Sequence, residues 1–152
     1  MFKGRQIVGI DLWWKPLTEA SERRVYPLLS QAKGDKLPFK ENSFPTAVSN
    51  SVLEHIPDVQ PVLNEIARKL KPGGQFIFTV PNQRFKTELW GQALFNSLHL
   101  KVLAEKYSAF FNKIARHYNL DQPEIWTKRL KDAGFEKVAH FNYFPRWALH
   151  KL

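Results

Sequence analysis

Asp11 closes a short apolar run, Val8-Gly9-Ile10-Asp11. A carboxylate at the end of a buried strand can accept both hydroxyls of a ribose, and nucleotide-binding α/β proteins place an acid for that purpose. An exposed turn aspartate is the plainer alternative. Trp13 and Trp14 follow directly, able to cover a nucleoside or to pack on the surface. A second polar group lies in Asn50-Ser51-Val52-Leu53-Glu54-His55. His55 there is a candidate general base, because imidazole exchanges protons near neutral pH. The competing reading is a helix-entry histidine bonded to local backbone, with Glu54 pairing its neighbours. Pro81-Asn82 ends another apolar run, and Asn82 either faces an acceptor or shapes the turn. His99, His117, His140 and His150 show no metal-ligand spacing, and no HxxxH pair or carboxylate cluster accompanies them, so no metal is expected.

These residues need a scaffold that brings the ends of strands together. Residues 6–10 read as a buried strand. Residues 13–16 read as a connection, and Thr18 as the cap of a helix reaching about Ser30 unless Pro27 ends it early. Leu37-Pro38-Phe39 and the following Lys40-Glu41-Asn42-Ser43 look like a strand exit and turn. Residues 46–50 form the next strand. The clearest helix covers 58–70, with Asp58 as N-cap and Val59, Val62, Leu63, Ile66 and Leu70 along one face. Pro72-Gly73-Gly74 should stop it, and residues 75–80 should follow as a strand buried on both faces. Residues 82–97 receive no assignment. Residues 99–118 read as a helix with Val102, Leu103, Phe110 and Ile114 inward. Asp121-Gln122-Pro123-Glu124 has the form of a capping box, opening a helix that carries Ile125, Trp126 and Leu130 and ends at Gly134. Residues 135–144 read as a last strand. Strands alternating with helices predict an open, mostly parallel α/β sheet with helices on both faces, and such sheets bind ligands beyond the carboxyl ends of their strands.

The 152 residues suit one domain, 43% hydrophobic and 24% charged, and these globular values exclude wholesale disorder. The absence of cysteine rules out disulfides, thiolate metal sites and a thiol nucleophile. No apolar run approaches the ~20 residues of a membrane span, and residues 1–5 do not lead into a signal sequence, so a cytoplasmic protein is the expectation. The formal charge of +9 suits nucleic acid, anionic lipid or a phosphorylated substrate. The basic residues are scattered from Lys3 to Lys151, which also describes an ordinary solvated surface.

Several pieces occur in one order at close spacing: Asp11, Leu37-Pro38-Phe39, Ser43-Phe44, Ser49 to Ile56 with Leu53-Glu54-His55-Ile56, Glu65 to Gly74 with Leu70-Lys71-Pro72-Gly73-Gly74, and Phe76 to Asn82. Together they resemble the small-molecule branch of the class I S-adenosylmethionine-dependent methyltransferases. The resemblance covers residues 6–82 and continues more loosely through Trp126 to Phe135. It implies a Rossmann-like fold, S-adenosyl-L-methionine as cofactor, and methyl transfer to an O, N or C nucleophile of a small or lipid-like acceptor. It makes Asp11, with Leu12 beside it, the ribose contact. Asp35, Lys36 and Leu37 fall on the adenine side, although the usual acid position four before Leu-Pro-Phe holds Lys33, so either Asp35 substitutes or the contact is lost. Asn50 and Ser51 line the methionine end, His55 lies near the transferred methyl, and Pro81 and Asn82 lie on the substrate side. Pro45 stands where the family commonly has an aspartate.

The resemblance also implies an absence. The family opens with a central strand and a glycine-rich turn, and residues 1–5 supply neither. Its terminal antiparallel hairpin also looks incomplete. The chain is therefore expected to be a single truncated domain over 1–152, an interior piece of a methyltransferase, with residues 83–120 as a variable substrate-side insert. That insert is aromatic and basic, with Phe85, Trp90, Phe95 and Tyr107 among Arg84, Lys86, Lys101 and Lys106. Without its central strand the chain should be marginally stable, since unsatisfied buried backbone groups cost ~1–3 kcal/mol each. Strands 6–10 and 46–50 should then stand apart with an open slot, and hydrogen bonding between them would refute this. A non-catalytic basic α/β module binding RNA or a partner protein is the alternative. A nicotinamide-dependent enzyme is a third reading, which leaves the Leu-Pro-Phe and Leu-Glu-His-Ile pieces unexplained.

Overall fold

The computed structural model describes residues 6–24, 26–81, 102 and 117–142. Strand β1 (Val8–Asp11) leads into helix α1 (Trp14–Glu22) and then strand β2 (Leu28–Gln31). Strand β3 (Phe44–Asn50), a single 3-10 turn (Leu53–His55), helix α2 (Gln60–Lys69) and strand β4 (Leu70–Thr79) follow, and helix α3 (Pro123–Asp132) closes the described chain. This is the alternating pattern of a Rossmann-like, mostly parallel open sheet. β1 pairs with β2 in parallel, Val8 opposite Leu28 through Asp11 opposite Gln31. β3 pairs with β4. Its flanking bonds, Ser43 N–H to the Lys69 carbonyl and Ser51 N–H to the Thr79 carbonyl, advance together along both segments, as in a parallel pair. β1 and β3 belong to different hydrogen-bonded sheets, so the direct pairing that would contradict an open slot does not occur among the described residues.

Two compact units make up the chain, residues 1–47 with 60–75 and residues 48–59 with 76–152. In the first, Leu17, Val62, Leu63 and Leu70 are buried. Gly9 leaves room in β1 for its neighbours, since a Cβ there would stand 2.7 Å from the tip of the Leu29 side chain and 3.3 Å from the Tyr26 ring, so one of them would have to move. A buried carboxylate then ties the loop before β3 to α2. Glu65 Oε1 accepts the Leu37 N–H at 2.9 Å, and Arg68 donates to both Glu65 oxygens at 2.8 Å. Lys69 Nζ lies 3.4 Å from Glu65 Oε1 and donates to the Phe39 carbonyl. Arg68 reaches on to Glu41 at 2.6 Å. The loop is thus held from Leu37 to Glu41.

In the second unit Leu53, Val59, Leu120, Trp126 and Leu130 are buried. Phe78 meets Trp126 at 5.3 Å between ring centroids, and Phe76 stacks on Phe135 at 6.0 Å. α3 begins with Pro123, where a missing N–H is harmless, and ends at Gly134 with φ +100°.

Several local expectations are corrected. α1 starts at Trp14 after an extended Trp13, so residues 13–16 are mostly helix and Thr18 sits inside it, its hydroxyl bonded to the Trp14 carbonyl at 3.1 Å. The helix stops at Glu22, and residues 28–31 are strand, because Pro27 blocks continuation and the parallel ladder with β1 claims the apolar residues beyond it. The Leu37-Pro38-Phe39 segment leaves no strand; it is a loop held by Glu65. α2 opens at Gln60, so Asp58 lies outside its cap, and Ile66 is only half-buried. Residues 70–74 belong to β4, which begins at Leu70 directly after α2, and Gly73 takes φ +75° inside that strand. β4 is not buried on both faces: Phe76 and Phe78 face aromatic partners while Ile77, on the opposite face, is 54% exposed. Asp121 does not cap α3; Gln122 holds that position without a side-chain capping bond, and Asp121 instead pairs with Arg129 at 2.7 Å. Ile125 is exposed. Residues 135–142 form no strand, since no described segment offers them a ladder. Of the proposed helix 99–118, Val102 is helical but exposed rather than inward, residues 117 and 118 are not helical, and the rest lies outside the described residues. No helix among the described residues is long and apolar enough to cross a membrane.

Burial alone pushes the Glu65 carboxyl up, but hydrogen bonds from Arg68, the Leu37 amide and Lys69, with the Lys69 charge, outweigh it and hold the pKa below the ordinary carboxylate value. Its stabilising contribution is therefore complete above the unfolded carboxylate pKa and is lost as pH falls through the lower folded value. Glu65→Gln leaves the Lys69 ammonium buried without its counter-charge. Urea unfolding should show it less stable by about 3 kcal/mol at pH 7 and with a flatter acid limb. Wild-type stability and an unchanged acid limb in the variant would contradict this role.

Candidate functional site

At the carboxyl end of β1 the chain turns sharply toward α1, and Asp11 shapes that turn. Its Oδ1 accepts the Trp13 N–H at 2.8 Å, which fixes the carboxylate, and Oδ2 has no protein partner among the described residues. The Asp11 carbonyl accepts the Ala32 N–H at 3.0 Å, and the Leu12 carbonyl accepts the Gln31 side-chain amide at 3.0 Å. The exit of β2 is thereby fastened beside the exit of β1. Leu12, Trp13 and Trp14 are exposed, the two tryptophans by about two-thirds (68% and 67%). Beyond β2, a turn closed by the Lys36 N–H on the Lys33 carbonyl carries Asp35. Lys33 Nζ lies 3.6 Å from the Asp35 carboxylate and both side chains are open to solvent, so the lysine screens the acid without fixing it. Lys36 is exposed, and Leu37 is held through its N–H by Glu65.

In the second unit Asn50 ends β3, its Oδ1 accepting the Thr79 hydroxyl at 2.5 Å. Ser51 adopts φ +50° and bonds through its N–H to the Thr79 carbonyl. The left-handed residue turns the chain away from the sheet and into the 3-10 turn. Pro81 follows β4 and is half-buried; Asn82 lies outside the described residues.

The 3-10 turn carries a buried acid beside two imidazoles. Glu54 is 1% exposed, and its Oε2 finds no hydrogen-bond partner among the described residues. Burial raises its carboxyl above the ordinary value, against smaller lowering effects from a backbone hydrogen bond and His55. His55 Nε2 lies 3.8 Å from Glu54 Oε1, with the imidazole partly exposed. The His117 ring stands 5.1 Å from that of His55, tilted by 35°. The sequence offered no spacing to join His117 to this group. The clasp that does so is made of backbone and amide bonds. Tyr118 and Asn119 N–H groups donate to the Glu54 carbonyl at 2.7 and 3.2 Å. Asn119, itself buried, donates through Nδ2 to the Leu53 and Ile56 carbonyls at 3.3 and 2.6 Å.

The methyltransferase domain family matches residues 1–78, just over half of the chain. The chain belongs to that family. Among relatives, demethylmenaquinone methyltransferase of Chlorobaculum tepidum is 28% identical over 151 residues, covering 91% of this chain and 59% of the relative. Phosphoethanolamine N-methyltransferase 2 of Caenorhabditis elegans is 30% identical over 151 residues, covering 90% and 32%. In fold, the Haemonchus contortus phosphoethanolamine N-methyltransferase 2, solved with S-adenosyl-L-methionine, superposes with a TM-score of 0.66 at 21% identity over 93% of this chain and 30% of its own. The chain thus spans about 59% or less of the length of these relatives.

Within this methyltransferase domain, the structure gathers Asp11 and Leu12 with the β2 exit in one unit and Asn50, Ser51, Glu54, His55 and His117 in the other. Sequence reasoning missed Glu65, His117 and Asn119. Glu65 lay in plain view on α2, but a glutamate followed by Arg68 and Lys69 reads as an exposed helical ion pair. Asn119 bonds to Ile56 across 63 positions, which no local pattern signals.

Truncating Asn119 tests the clasp. Asn119→Ala takes the side-chain donor from the part-buried Ile56 carbonyl and one of two donors from the buried Leu53 carbonyl, and should lower stability by about 1 to 2 kcal/mol. Nuclear magnetic resonance should show the His55 and His117 ring signals losing their mutual contact. Retention of that contact would mean that the clasp does not place His117.

Proposed function

We propose that this domain serves an S-adenosylmethionine-dependent methyltransferase acting on a small-molecule acceptor. The observation that carries the reading is Asp11, fixed by the Trp13 amide at the carboxyl end of a parallel strand, with Oδ2 left for a ligand. The donor set fits the cofactor at this point, since a carboxylate held by one oxygen can accept a ribose hydroxyl at the other. When bound, the cofactor supplies an activated methyl group on a sulfonium sulfur.

The protein's part is placement. Asp11 and Leu12 receive the ribose. Asp35, Lys36 and Leu37 form the adenine side, with Asp35 serving in place of the acid that Lys33 displaces. Asn50 and Ser51 stand at the methionine end, on a turn held by Thr79. Pro81 and Asn82 lie toward the acceptor. His55 takes the proton that an O or N nucleophile releases on methylation. The relatives' names include a menaquinone and a phosphoethanolamine methyltransferase, and both acceptor types belong in the assay.

Calorimetric titration with S-adenosylhomocysteine should show binding that weakens at least about tenfold in Asp11→Ala, the loss of a charge-assisted hydrogen bond. His55→Ala should bind the product normally and lose methyl transfer by about 100-fold. Equal affinity in Asp11→Ala would overturn the ribose assignment, and unchanged turnover in His55→Ala would remove its catalytic role.

A further inference from the structure

We propose that Glu54, His55 and His117 form a binding site for one borderline first-row divalent cation of the zinc, cobalt or nickel type. Each residue offers one ligand atom, and the three atoms lie within 4.8 Å of one another. One carboxylate with two imidazoles is the donor set that such cations prefer over magnesium or calcium, which favour oxygen alone. Metal–ligand bonds of ~2.1 Å in a tetrahedron would place the donors ~3.4 Å apart. His55 Nε2 and Glu54 Oε1 are already at 3.8 Å. The closure still needed falls on the imidazoles, since His55 is 43% exposed in its side chain and can turn, while Glu54 is fixed in the interior.

Two observations independent of the spacing favour a ligand here. The buried Glu54 Oε2 has no hydrogen-bond partner among the described residues, an arrangement that leaves a carboxylate poorly satisfied unless something positive reaches it. The segment bearing His117 is also held in register by four hydrogen bonds from residues 118 and 119 to the 3-10 turn, so the third donor is prepositioned. The remaining coordination positions would be water or an acceptor oxygen. A cation on Nε2 occupies the lone pair that otherwise accepts a proton, so the two roles of His55 alternate. The cation site itself does not depend on the methyltransferase reading, because uptake is measured with neither cofactor nor acceptor present.

The test is calorimetric titration of chelator-treated protein with zinc ion, beside optical titration with cobalt ion. The wild type should take up one equivalent and give the visible cobalt absorption of a low-coordinate nitrogen–oxygen site. His117→Ala should weaken uptake by tenfold or more, on the order of the loss expected when a metal's environment is damaged. His140→Ala, changing an exposed histidine outside the cluster, should bind as the wild type does. Should His117→Ala fail to fold, the ring resonances of His55 and His117 in the wild type give the same answer, moving together on zinc addition while His140 stays. Absence of uptake, equal uptake in a folded His117→Ala, or zinc shifts at His140 alone would overturn the proposal.

Discussion

A single buried carboxylate, Glu65, holds the loop from Leu37 to Glu41 against α2. It is nearly inaccessible, yet it accepts bonds from the Leu37 amide and the Arg68 guanidinium and faces the Lys69 ammonium. Burying charge is costly unless every lone pair is met, and here the requirement fixes geometry. Leu37 can bond only if its loop lies on α2, and Lys69 can reach the Phe39 carbonyl only from the same arrangement. The loop from Lys33 to Glu41 has no strand of its own, so this polar knot replaces a ladder.

The second unit solves a similar problem with neutral groups. The Tyr118 and Asn119 donors bond to the Glu54, Leu53 and Ile56 carbonyls of the 3-10 turn and its exit, Leu53 also accepting the Ile56 N–H. Satisfying that backbone brings His117 to His55 and Glu54. The chemistry of the turn is therefore a consequence of hydrogen-bond accounting between segments far apart in sequence.

Legibility followed the range of the interaction. α2 was readable because its apolar spacing is local, and most of β3 was readable from the short run at residues 46–50, whereas the 3-10 turn was not read. β2 was not, since Leu28–Gln31 becomes strand only through pairing with β1, and its four residues continue a plausible helical pattern past Pro27. Residues 135–142 failed in the opposite sense: their composition suits a strand, but strand structure needs a neighbour. Asp11 was found from its place after an apolar run. Its bond to the Trp13 amide shows the turn aspartate that was weighed for it. Glu65 and His117 were hidden because nothing near them in sequence shows that one is buried and the other clasped.

Backbone amide resonances during addition of S-adenosylhomocysteine to isotope-labelled protein test the central claim most directly. The account predicts saturable shifts at Trp13, whose amide is bonded to the Asp11 carboxylate, and at Lys36 and Leu37, with the Gly134 amide unmoved. Amides of residues 12–13 and 36–37 that stay in place at saturation, while shifts collect elsewhere, would contradict it.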